Sequence, residues 1–342
     1  MVDIVKNVKE NEWKSFLNNR DEATIYHTPE WKQFLEKTFG YKPEYFFAKD
    51  ESGNMVGLLP LFYIKSKLTG NRLCSVPFSH ICGPIGTKDI SIELLEEAIN
   101  LFKKSNLNSL EIREPIDDER FVNLNSFSTY VLELSSKPDD VWAKLNKGSV
   151  KRAIKKAEKS GVTVEKTRDL DDLKEFYEIN ATAKRELGVP CHPWNFFKNI
   201  FDILGNNASL YASKYNDEII GGGIMTYFKN TVIYGYGASD SNYLNLYPSN
   251  AFLWKSIEDA CVKGYNIYDF GRASYSNTGL IDFKKRWGTI ETKLYYSNYP
   301  TKSNSLSENR ESAKYKLASR IIRKIPLTMY KQFSDIVFQH FG

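Results

Sequence analysis

The amino-acid sequence predicts an α+β protein built from two tandem copies of one unit, each a mostly antiparallel twisted sheet flanked by helices. An internal repeat is the first observation. AKDESGNMVGLLPLFYIK from Ala48 and ASKYNDEIIGGGIMTYFKN from Ala212 share a polar turn, an apolar pair, a glycine (Gly57 and Gly221) and a long apolar strand. The second is the order of the elements after each copy: residues 92–113 and 250–272 both read as helix then strand, with Glu111 opposite Asp269. The third is size. A chain of 342 residues exceeds one average domain, and 42% hydrophobic with 14% aromatic residues can fill two cores. The expected units are residues 1–136 and 137–300. Residues 301–342 are expected to form a polar linker and C-terminal helices that pack back on the body.

The elements run in order along the chain. Residues 11–19 read as a short helix. Thr28 caps a second one, Pro29 suits its first turn, and Trp31, Phe34, Leu35 and Phe39 recur at helical spacing until Gly40 stops it. Residues 44–49 and 55–65 flank a polar turn as a hairpin. A strand at 72–76, a two-proline loop at 77–84, a helix marked by Ile92, Leu95, Ile99 and Phe102, and strands at 109–113 and 129–134 complete the first copy. Residues 139–160 predict one long helix, closed by Gly161. A strand at 162–166 comes next, then helices over 169–187 and from His192 onward, a meander at 209–215, 218–228 and 231–238, a loop, and a helix at 249–263. The stretch from Tyr265 to Gly288 reads as an apolar strand ending in Asp269, Gly271 and Arg272, a polar loop over 273–279, and a basic-aromatic cluster from Phe283 to Trp287. A last strand spans 291–297, and two helices separated by Pro326 end the chain.

Composition narrows the function. A net charge of +5 permits anionic partners without demanding them. The four cysteines show no CxxC spacing and the four histidines no metal-ligand pattern, so disulfides and a metal centre are not expected, and a reducing cytoplasm fits. The N-terminus has no apolar core for a signal peptide, and no apolar run is long enough to cross a membrane.

The order of elements is that of GNAT acyltransferases. Two such units in tandem resemble the FemAB family of peptidyl and aminoacyl transferases. The resemblance covers about residues 25–300. It rests on residues 28–31, on 71–79, on the basic helix 151–158, on 187–193, on Asp269-Phe270-Gly271-Arg272, and on Gly279 and Phe283-Lys284. It looks closest to the subgroup found near exopolysaccharide loci, and the coiled-coil insertion of the glycyl-adding members looks absent. It implies amide formation on an amine of a cell-wall or surface-glycan precursor, nucleotide- or lipid-linked, from aminoacyl-tRNA as co-substrate. The alternatives are an acyl-CoA-dependent N-acyltransferase acting on an amino sugar, and a non-catalytic scaffold binding RNA or glycan. No cofactor and no DNA partner are expected.

Such transfer needs a positioned amine, an activated acyl donor and stabilisation of an oxyanion. No GxSxG nucleophile motif is present. The resemblance makes Lys284, beside Phe283, the residue that faces the donor and stabilises negative charge. Without it, Lys284 reads rather as a solvated member of a basic cluster with Lys285 and Arg286. Arg272 either clamps an anionic group or pairs with Asp269, a weaker candidate for general base. Tyr234 and Tyr236 lie on one face of a strand, with Gly235 and Gly237 on the other. They either line an acceptor pocket or belong to the core. GNAT enzymes splay this strand from its neighbour and lay the donor into the gap. The glycine-rich pyrophosphate turn of coenzyme A-binding members is missing between Ser241 and Asn250, although the helix start at Ser249 and Asn250 still offers amides.

Lys147, Lys151, Lys155 and Lys159, with Arg152 and Lys156, form a cationic stripe. It suits a tRNA acceptor stem or a nucleotide diphosphate, or it is a solvated helix face. Arg185 and His192 border the acceptor cleft by the resemblance. Ser79 and His80 are lesser candidates, and Cys191-His192 is not expected to be a nucleophile–base pair. In the C-terminal segment Leu317, Ile321, Ile322 and Ile325 are apolar and Lys314, Lys316, Arg320, Arg323 and Lys324 basic. It docks on the protein or lies on an anionic membrane surface, which would make the protein peripheral at the inner face.

Overall fold

The computed structural model describes residues 2–300 and 313–341, so the expected linker lies outside the described residues. The chain forms two compact units. Among the described residues, unit one takes 2–127, 293–300 and 339–341, and unit two takes 128–292 and 313–338.

Unit one begins with β1 (Asp3–Val5), α1 (Glu10–Asn18), α2 (Pro29–Phe39), β2 (Lys42–Lys49), β3 (Met55–Ile64), β4 (Arg72–Cys74), α3 (Lys88–Lys103) and β5 (Ser109–Ile112). The Thr28 hydroxyl accepts from the Trp31 amide, and Gly40 closes α2 at φ 65°. Strand β6 (Val122–Glu133) runs from unit one into unit two, so the division falls at 127/128 rather than after 136.

Unit two continues with α4 (Pro138–Lys144), α5 (Arg152–Lys159), β7 (Thr163–Thr167), α6 (Leu170–Leu187), α7 (Trp194–Leu204), β8 (Ala208–Tyr215), β9 (Glu218–Phe228), β10 (Thr231–Ser239), α8 (Pro248–Val262), β11 (Ile267–Ser274) and α9 (Thr278–Lys285), and β12 (Ile290–Tyr299) leads back into unit one from Lys293. Two helices follow, α10 (Ala313–Lys324) and α11 (Leu327–Phe338). The end of β12, Ser297 to Tyr299, pairs antiparallel with β5 in unit one.

Two expectations need correction. The long helix over 139–160 is broken. Leu145 is extended and buried, the Asn146 side chain accepts from the Ser149 amide, and residues 147–151 form a π-helical turn before α5. The polar stretch 273–279 is not one loop. β11 continues to Ser274, and Asn277 caps α9 by accepting from the Leu280 amide, so Phe283 and Lys284 lie on a helix.

The strand order is β1-β2-β3-β4-β5-β12 in unit one and β6-β11-β10-β9-β8-β7 in unit two. In each, one parallel pair follows an antiparallel meander: β4 with β5, and β10 with β11. A crossover helix, α3 or α8, joins each pair. The repeat extends to detail. A Cβ at Gly57 would lie 2.4 Å from Ile90 in the first turn of α3, and one at Gly221 3.1 Å from Pro248 at the start of α8. Both glycines let the crossover helix approach its sheet.

Candidate active site

The β10–β11 pairing runs from Thr231–Ile267 to Ile233–Asp269 and ends there. Strand β10 then bulges: Tyr234 pairs with Met225, Tyr236 with Ile224, and Gly235 is the extra residue. A bulge re-aims the side chain that follows it. Tyr234 therefore packs on Phe252 and Phe270, with ring centroids at 6.0 and 6.4 Å. Tyr236 packs on His192, Phe196 and Phe197, at 4.9, 5.1 and 5.6 Å. The two tyrosines thus stand in different packing environments, which corrects the expectation that they share a face. The Tyr234 hydroxyl lies over Gly237, where a Cβ would come within 1.9 Å of it.

Across from the bulge, Asp269 and Lys284 are joined through one residue, Gly271. Asp269 Oδ1 accepts from the Thr129 hydroxyl at 2.6 Å and from the Gly271 amide at 2.7 Å. Lys284 Nζ donates to the carbonyls of Gly271 and Arg272, at 2.7 and 2.9 Å, and lies 5.7 Å from the centre of the Tyr130 ring. Gly271 holds this turn at φ 70°. Lys284 is only 3% exposed, so it is no surface lysine. Burial lowers its pKa to about 8. Asp269 works against that shift and Arg272 adds to it. An ammonium has three donors, and the two carbonyls take two.

Arg272 is exposed on β11, beyond the last residue that pairs with β10. Burial raises the Tyr236 phenol, and the nearby Arg272 guanidinium offsets part of the rise. Tyr236 and His192 thus pack together, and Arg272 is near enough to act on the phenol electrostatically. His192 also touches Phe338, its Nδ1 is buried without a hydrogen-bond partner, and burial followed by Lys184 keeps the ring well below its usual pKa. Phe283 packs against Trp287 on the core side of α9. Arg185 reaches toward the C-terminal helices rather than the gap: it donates to Ile325 O, at the end of α10. The Ser249 hydroxyl is bonded to that of Ser239 at 2.8 Å. At the start of α8, Pro248 has no amide hydrogen, and the amides of Asn250 and Ala251 both turn onto Tyr247 O. Few amides remain there for a pyrophosphate.

Cys191 and His192 face different clusters, the thiol beside Ala181, Ile322 and Tyr330 and the imidazole in the aromatic group above.

In unit one the corresponding divergence is closed. Beyond Cys74–Glu111, the Ser75 amide donates to Glu111 O, and Arg113 Nη1 donates to the carbonyls of Val76 and Ser79 at 3.1 and 2.7 Å. Glu111 pairs with Arg113 at 3.0 Å. Ser79 thus serves the loop, and His80 bonds Tyr26 at 2.9 Å.

A separate cleft of about 680 Å³ is lined by Trp142, Lys147, Lys151, Arg152, Lys155, Lys156 and Lys159. The break between α4 and α5 brings Trp142 to this stripe, with Lys151 Nζ 5.6 Å from its ring. Lys156 reaches over Tyr247, 5.1 Å away at the start of α8. Among the described residues, none of these six cations is in an ion pair. Their charge is uncompensated.

Two buried polar residues went unrecognised from sequence. Thr129 orients Asp269. Asn180 was visible on the buried stripe of α6, yet both of its amide atoms are buried without a partner at 1% exposure. A polar residue on an apolar stripe was the available signal.

Residues 146–285 match the Acetyltransferase (GNAT) domain family. Comparison with curated protein sequences gives no match. Among solved structures, the chain is similar to FemX, with TM-score 0.71 and 15% identity, covering 94% of this chain and 100% of that one. It is similar to a tandem GNAT protein from the clavulanic acid biosynthesis pathway, with TM-score 0.54 and 10% identity over 87% and 98%. It is also similar to L-PGS from Bacillus licheniformis, with TM-score 0.52 and 13% identity over 86% and 96%. The expected tandem GNAT fold is therefore present, and the matched domain lies wholly in unit two. Residues 146–285 thus carry a GNAT acetyltransferase domain, and the chain as a whole has the fold of FemX.

Proposed function

We propose that this protein transfers an aminoacyl group from aminoacyl-tRNA onto an amine of a cell-wall or surface-glycan precursor, at the end of the β10–β11 pairing. The observation that carries this reading is the divergence after Ile233–Asp269, with Lys284 buried beneath the Gly271 turn. The amine attacks the ester carbonyl and a C–N bond forms. The C–O bond to the ribose then breaks, and the leaving oxygen ends with the proton the amine gives up. Lys284 supplies fixed positive charge where the carbonyl oxygen becomes negative, through the N–H that the backbone carbonyls leave over. In a dry site such a charge is worth far more than in water. Tyr236, His192 and Arg272 form the acceptor side.

The uncompensated cationic cleft favours an RNA-borne donor over a coenzyme A thioester, and so does the occupied start of α8. The test is a donor screen with labelled aminoacyl-tRNA pools and labelled acyl-CoAs against amine-bearing precursors. Label should pass from charged tRNA into an amide. Transfer from acyl-CoA alone would replace the donor. No transfer from any donor, with salt-sensitive RNA binding, would leave a binding protein.

A further inference from the structure

The C-terminal helix pair presents an outward surface that the transfer reading does not use. The four apolar residues Leu317, Ile321, Ile322 and Ile325 divide between two faces. Ile322 is buried with Tyr330, Cys191 and Ala181, and Ile325 packs against the same cluster. Leu317 and Ile321 are instead 59% and 55% exposed, and Met329 on α11 is 61% exposed.

At about 100° per residue, the buried Ser319 and Ile322 mark the inner side of α10, and Lys324, Leu317, Ile321 and Arg320 fall on the opposite side. Lys316 extends that stripe one turn below Arg320 and is also exposed. α10 carries no acidic residue from 313 to 324. The orientation is fixed from behind. The Tyr330 hydroxyl donates to Val189 O at 2.7 Å, Arg185 donates to Ile325 O, and Lys331 pairs with Glu178 at 2.8 Å. The apolar side chains thus stand away from the protein, with the cations beside them.

We infer that this face of α10, with Met329, seats unit two on an anionic lipid bilayer. Leu317 and Ile321 enter the headgroup boundary, and Lys316, Arg320 and Lys324 meet anionic headgroups. Charge complementarity selects this occupant. An apolar protein partner would leave three cations to be matched, whereas an anionic interface takes both classes of side chain.

The test is sedimentation of the full chain with vesicles of phosphatidylcholine, alone or with about one third phosphatidylglycerol, at low and high salt. The wild type should partition onto the phosphatidylglycerol vesicles and be released by salt. Arg320→Glu with Lys324→Glu should weaken partition by about thirtyfold or more. Leu317→Ser with Ile321→Ser should weaken it more than about tenfold with the melting temperature unchanged, since both side chains are exposed. Lys155→Glu with Lys159→Glu, in the separate cationic cleft, should retain binding. Absence of binding to anionic vesicles, or loss only in the cleft variant, would overturn the inference. So would light scattering that shows a dimer dissociated by Leu317→Ser with Ile321→Ser, which would make the face a self-association surface.

Discussion

The ammonium of Lys284 donates to the carbonyl of Gly271 at 2.7 Å, and the amide of the next peptide link back, that of Gly271 itself, donates to Asp269 at 2.7 Å. Acid, glycine and lysine thus form one hydrogen-bonded bracket at the strand end. The bracket depends on a backbone conformation that side chains disfavour, φ 70° at Gly271. Gly271→Ala should cost about 1–2 kcal/mol and lower activity, because both partners of the bracket move with it. Gly271→Asn should recover part of the stability. Thermal melts of the two variants measure this, and equal melting temperatures for wild type and Gly271→Ala would refute the bracket.

The bulge makes a second prediction. A methyl group at Gly237 would collide with the Tyr234 ring, so Gly237→Ala should destabilise by about 1–3 kcal/mol. Tyr234→Ala should relieve most of that cost in the double variant. A double-mutant cycle reads the coupling, and additive losses would mean that the two residues do not touch.

Asn180 makes a third. A buried amide with no partner costs about 1–3 kcal/mol, and a leucine of similar size has no such cost. Asn180→Leu should keep or raise the melting temperature, as measured by calorimetry. A fall of several degrees would show that the amide is satisfied in solution.

The cationic cleft makes a fourth. Lys151→Glu with Lys155→Glu should weaken binding of an RNA hairpin carrying an acceptor end. The slope of log affinity against log salt should shrink by about 0.7–0.9 for each phosphate that is no longer neutralised. Filter binding across a salt series checks it. An unchanged slope would place the RNA elsewhere.

How far the sequence revealed the molecule depends on which residues carry each feature. The repeat was visible because alternating apolar strands and a polar turn write themselves into residue order, and Glu111 does occupy in β5 the place Asp269 holds in β11, each in the last parallel pair. The α4–α5 break was hidden, because Lys147, Lys151 and Lys155 keep helical spacing across a π turn that Leu145 and Asn146 impose. The separation of Tyr234 from Tyr236 was hidden for a related reason: a one-residue bulge leaves composition unchanged and alters the register. Lys284 was found through the family resemblance, but its burial was not. Its neighbours Lys285 and Arg286 are exposed, and only the turn of α9 places Lys284 on the inner side.

If the buried ammonium of Lys284 drives acyl transfer, the most direct test is the pH dependence of turnover with the donor that the screen identifies. Burial lowers the Lys284 pKa from 10.5 to about 8, so the side chain is charged below that pH and neutral above it. Deprotonation of the acceptor amine supplies the rising limb, and loss of the Lys284 charge should make turnover fall as pH rises through about 8. Lys284→Met should be slower by about a hundredfold or more, lack that falling limb, and melt within a few degrees of the wild type. Near-normal turnover in Lys284→Met, or a falling limb that survives the substitution, would contradict this role for Lys284.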